Sequence, residues 1–106
     1  MVVSSHKISA LSTLRQYVNE TICERCELKV GAFPMTERIL TRGGQPCGIY
    51  FCVHGPRSTK LSAIWETDRN QILFYGSRGE RLQRTLLSES PQLDLAGLRK
   101  QLASLD

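Results

Sequence analysis

Two short stretches carry residue types able to do metal or redox chemistry. One is Cys23-Glu24-Arg25-Cys26, a C-x-x-C pair, and the other is Cys52-Val53-His54. Thiolate sulfur and imidazole nitrogen are the usual donors to a structural zinc, and three cysteines with one histidine form a tetrahedral set. Cys23 and Cys26 are three apart on an expected helix and lie on neighbouring faces. Cys52 and His54 are two apart on an expected strand and point the same way. Cys47 is left out, because its odd separation from Cys52 puts it on the other side of that strand. The second pair lacks zinc-knuckle spacing, and both pairs fall on regular elements instead of turns. The competing account of all four residues is packing, since cysteine is among the most buried residue types. Redox use of the C-x-x-C is disfavoured: it sits toward a helix C-terminus, where the dipole opposes thiolate, with Glu24 and Glu27 beside it.

A second constellation is basic. Arg57 and Lys60 come from one loop and Arg78 and Arg81 from another, with Glu80 the only acid in either. Arginine and lysine beside Ser58, Thr59 and Ser77 suit an anion, aided by backbone N–H groups freed near Gly55 and Gly79. Solvated surface charge is the plainer account. A nucleic-acid surface also needs exposed aromatics for stacking. Tyr50, Trp65, Phe74 and Tyr75 are available, but their alternation with aliphatic residues suits a core. The chain has no G-x-x-x-x-G-K-[ST], no G-x-G-x-x-G and no nucleophile–base–orienter set, which argues against an enzyme.

These residues have to be positioned by something. The chain has 106 residues, one domain's worth, with 41% hydrophobic and 23% charged residues; that composition supports a folded core without metal or disulfide help. The net charge of +4 makes an acidic partner reasonable without requiring one. The N-terminal stretch has no continuous apolar segment, so no signal peptide is expected. A reducing cytoplasm then follows, with the four cysteines as thiols or ligands. No stretch approaches a membrane span.

Ile8, Leu11, Leu14, Val18, Ile22 and Cys26 recur at steps of three and four, which predicts a long helix over about 7–29. Ser4 and Ser5 are its candidate caps, and Gly31 with Pro34 its stop. Strands are expected over Met35 to Arg42, Cys47 to His54, Thr59 to Thr67, Gln71 to Gly76 and, more weakly, Arg81 to Leu87. Short turns join them, so neighbours should be antiparallel. Ser90-Pro91 and a stripe of Leu95, Leu98, Leu102 and Leu105 predict a closing helix over about 91–105. The expected fold class is α+β: a long N-terminal helix, a four- to five-stranded antiparallel β-meander over about 35–87, and a short C-terminal amphipathic helix.

In that topology both loops, the end of the first helix and the start of the first strand share one end of the sheet, here called upper. The strand Cys47 to His54 is apolar on both sides, and strands of that kind are usually covered on both faces. Two helices have to cover two faces, and a short second helix leaves work for another copy of the chain. The expectation is a small non-catalytic cytoplasmic binding or interaction module, a homodimer, with no cofactor. The alternatives are a zinc-stabilised domain using Cys23, Cys26, Cys52 and His54, and an anion or nucleic-acid binder using Arg57, Lys60, Arg78 and Arg81.

Overall fold

A computed structural model describes residues 2–89 and 91. The order is β1 (Val2–His6), α1 (Leu11–Arg25), β2 (Met35–Arg42), β3 (Gln45–His54), a 3₁₀ turn (Pro56–Ser58), β4 (Lys60–Glu66), β5 (Gln71–Tyr75) and β6 (Arg81–Leu87). The strands form one six-stranded sheet in the order β1-β6-β5-β4-β3-β2. Strands β2 to β6 are an antiparallel meander, while β1 pairs parallel with β6. The sheet is therefore mixed, and the expected four- or five-stranded antiparallel architecture is corrected by this added strand. The expected closing helix over 91–105 lies outside the described residues apart from Pro91.

The N-terminus is the source of the correction. Ser4 and Ser5 do not cap a helix; they sit in β1 behind the β-branched pair Val2-Val3, a residue type that suits strands. Ile8, 3% exposed, anchors the connection into the core. The helix begins at Leu11 and ends at Arg25, short of the expected Lys29. Glu27 takes a left-handed φ of 56°, and the Leu28 N–H reaches back to the Cys23 carbonyl at 2.8 Å. That six-to-one hydrogen bond, with Leu28 packed on the core, closes the helix before Gly31 is reached.

One face of the sheet holds the core. Leu14, Val18 and Ile22 from α1 meet Ile49, Phe51 and Val53 of β3, Leu61, Ala63 and Trp65 of β4, and Ile72 and Phe74 of β5. Toward β6 and β1 the same interface turns polar. Gln83 and Thr85, both buried, meet Tyr17 of α1 and Ser4 of β1. The Tyr17 and Ser4 hydroxyls each lie 2.9 Å from the Thr85 hydroxyl, and Arg25 Nε donates to Gln83 Oε1 at 2.9 Å. Buried polar groups in such a place must be satisfied by one another, so the network ties α1 to the β6–β1 side in one arrangement. Among the described residues no helix lies on the opposite face, and none is long and apolar enough to cross a membrane.

Candidate functional site

The residues on the face opposite α1 follow from register. In each antiparallel pair, partners share a side, and alternate residues along a strand change side. Arg38 of β2 pairs with Tyr50 of β3, Tyr50 with Ile64 of β4, Ile64 with Leu73 of β5, Leu73 with Arg84 of β6, and Arg84 with Val3 of β1. Since Ile49, Phe51, Ala63 and Phe74 face α1, this whole row lies on the opposite face, called open here because no helix among the described residues lies on it. Leu73 (6% exposed) and, in the next row, Cys52 (4%) are nonetheless buried there. A second row above it runs Thr36, Cys52, Ser62 and Tyr75, with Arg81 opposite Tyr75 across a β-bulge. His54 and Lys60 pair at its upper margin.

Two tyrosines on this face each have an arginine over the ring. The Arg38 and Arg81 guanidinium carbons lie 5.6 Å from the ring centres of Tyr50 and Tyr75 respectively. That is cation–π distance, and it leaves both partners half-buried or exposed at the surface. Tyr50 and Tyr75 are two strands and two positions apart, which spaces their rings roughly 12 Å from each other. The cations around these tyrosines are Arg38, Lys60, Arg81 and Arg84. The one strand carboxylate on the face, Glu66, accepts a hydrogen bond from Gln71 Nε2 at 2.8 Å. Arg84 Nε is buried without a hydrogen-bond partner among the described residues.

The face is not flat. An upper groove of about 350 Å³ is lined by Thr36, Arg38, Tyr50, Cys52, His54 and Lys60 among others. A lower one of about 470 Å³ is bounded by Leu40, Arg42, Cys47, Ile64, Glu66 and Asp68 among others. Arg42 and Asp68 neutralise each other there through a 3.1 Å ion pair. The row of Arg38, Tyr50 and Ile64 separates the two hollows.

The cysteine and histidine residues fall on different sides of the sheet. Cys23 is buried on α1, and Cys26 packs against the core at the helix end. Cys52 and His54 lie on the open face, with the sheet between the two pairs. Among the described residues no group of three or more histidine, cysteine, aspartate or glutamate side chains comes together as a metal site. The His54 ring Nε2 lies 2.9 Å from the Thr36 hydroxyl, and the Cys52 thiol points at the Val53 carbonyl, so the two do not form a nucleophile–base pair. Burial pushes the Cys23 thiol above its ordinary pKa; burial, Cys23 and Glu80 do the same to Cys26. Raised values keep both as inert thiols near neutrality.

The upper end is assembled as the turn alternation predicts. The end of α1, the 3₁₀ turn and the turn after Tyr75 enclose a pocket of about 380 Å³ lined by Arg25, Cys26, Leu28, Pro56, Thr59, Ser77 and Glu80 among others. None of Arg57, Lys60, Arg78 and Arg81 lines it. Lys60 and Arg81 turn onto the open face, while Arg57 and Arg78 sit exposed on loops at its upper edge. Arg38, Tyr50, Tyr75 and Arg84 complete the surface; alternation alone assigns the two tyrosines to a core and gives no signal for the two arginines. The signal for them is strand parity once the register is known: each lies opposite in phase to a core residue next to it. No family model matches the chain, and no match is found among curated proteins or solved structures.

Proposed function

We propose that the protein is a non-catalytic binding module whose open sheet face receives single-stranded nucleic acid. The observation that carries this reading is the pair of half-buried tyrosines, each beneath an arginine, on a face where Arg38, Lys60, Arg81 and Arg84 surround them and the carboxylates Glu66 and Asp68 are engaged by neighbours. Sheet faces bind single strands by stacking bases on aromatic rings while basic side chains follow the phosphates. In this reading Tyr50 and Tyr75 are the stacking platforms, with Arg38, Arg81, Arg84 and Lys60 as phosphate partners. Arg57 and Arg78 extend the positive field beyond the upper edge. Face-to-face self-association fits less well, because it sets these cations against their own copies. Four free thiols support a reducing, cytoplasmic setting.

The test is fluorescence anisotropy with a labelled single-stranded oligonucleotide. Binding should weaken as salt rises, with log K falling by about 0.7 per phosphate contacted. Replacing Tyr50 and Tyr75 by Ala should cost about 1–3 kcal/mol for each base unstacked. Binding that ignores salt, or that survives loss of both rings, contradicts the proposal.

A further inference from the structure

We propose that the outer edge of β1 pairs with β1 of a second copy, antiparallel and centred on Ser4. A sheet of this order has two edges, β1 and β2. Edge strands expose unpaired backbone groups and are ordinarily guarded by charge, bulges or cover. The β2 edge is guarded: it carries Glu37, Arg38 and Arg42 and a register irregularity between Leu40 and Thr41. The β1 edge, Val2-Val3-Ser4-Ser5-His6, has no lysine, arginine, aspartate or glutamate. Of the four large hydrophobic residues exposed among the described residues, three, Val2 (41%), Val3 (51%) and Leu86 (37%), belong to β1 or its neighbour β6, and the fourth, Val30, lies in the loop after α1.

The register follows from backbone direction. The His6 carbonyl accepts from the Ser88 N–H, on the β6 side. In a parallel pair alternate residues turn both backbone groups to the same neighbour, so Val3 and Ser5 direct theirs outward. A two-fold axis through Ser4, perpendicular to the sheet, sets Val3 opposite the second copy's Ser5, and Ser5 opposite its Val3. Both pairs are of the hydrogen-bonded kind, four N–H···O bonds in all. No like charges meet, and the exposed valine and leucine side chains are drawn toward the two-fold, which is why a second copy fits this edge. The rotation keeps both open faces on one side, so two six-stranded sheets become one of twelve, with the tyrosine–arginine surface running across the join. An interface made of one short edge is small, so the dimer belongs to the weak, micromolar class.

Sedimentation equilibrium of the full chain, without nucleic acid, tests this apart from the binding proposal. Wild-type protein should approach twice its 11.9 kDa mass at high micromolar concentration. Val3→Lys and Ser5→Glu should each return it to the monomer mass, since each sets a lone charge against the opposing strand. Both positions are exposed, and far-UV circular dichroism of each variant should match wild type. The double variant, Val3→Lys with Ser5→Glu, places opposite charges across the join twice and should restore the dimer. A wild-type monomer throughout, single variants that stay dimeric, or a double variant that stays monomeric overturns the proposal.

Discussion

Beneath α1 the aromatic residues of the sheet are Phe51, Trp65 and Phe74, all at 0–1% exposure. On the other side of the same strands they are Tyr50 and Tyr75, half-buried, each with an arginine over its ring. The covered face excludes water and leaves its few polar groups to satisfy one another: Trp65 Nε1 donates to Asn70 Oδ1 at 3.1 Å, and Tyr17 meets Thr85. The open face carries Arg38, Lys60, Arg81 and Arg84 around Tyr50 and Tyr75, with Glu66 engaged by Gln71 and Asp68 by Arg42. One strand set thus serves as a packing layer on one side and, in the function proposed, as a binding layer on the other. Substitutions on the two sides should separate stability from binding.

The largest expected effect is on the covered face. Trp65→Ala should cost about 3–5 kcal/mol in a urea titration, because the side chain is fully buried. Tyr50→Ala, on the open face, should cost about 1 kcal/mol or less. Equal losses would erase the distinction between the faces. Next is the polar corner of the covered face. Tyr17→Phe leaves the buried Thr85 and Gln83 groups short of a partner and should cost about 1–3 kcal/mol. It should leave oligonucleotide affinity unchanged, and a change there would link the network to the open face.

How much of this was legible in the chain itself depends on which force sets each element. β2 and β6 begin and end where alternation and bounding turns predict, Met35–Arg42 and Arg81–Leu87. β1 was not legible, because two serines before an apolar stripe are equally good helix caps, and only tertiary pairing with β6 decides for the strand. The helix end was misplaced because Glu27 takes a conformation usually left to glycine or asparagine. The proposed binding face was half legible. Lys60 and Arg81 stood out by charge, but Tyr50 and Tyr75 looked like core beside Ile49, Phe51 and Phe74. Alternation says that neighbours face opposite ways, yet it does not say which side a helix covers.

Smaller effects sharpen the charge side of the comparison. Arg38→Ala should reduce the salt slope of oligonucleotide binding by about 0.7 while leaving the urea midpoint within about 0.5 kcal/mol of wild type. Least of all is a pH effect from the covered side. Folded Cys23 and Cys26 hold their protons above the ordinary thiol pKa of 9.0. The unfolded chain loses those protons first as pH rises, so their contribution to stability is intact below about pH 9 and is lost above it. The urea midpoint should therefore fall as pH is raised past that value, and less so in Cys23→Ala; an equal fall in both proteins removes the assignment.

The central claim is that the open face, and not the helix side, takes single-stranded nucleic acid. Its most direct test uses the three tyrosines of the chain, two on the open face and Tyr17 in the buried network. Proton NMR of the tyrosine rings during titration with a short single-stranded oligonucleotide reads all three at once. Stacking should move the Tyr50 and Tyr75 ring signals upfield and leave those of Tyr17 in place. Still signals from Tyr50 and Tyr75, or movement confined to Tyr17, would contradict the account.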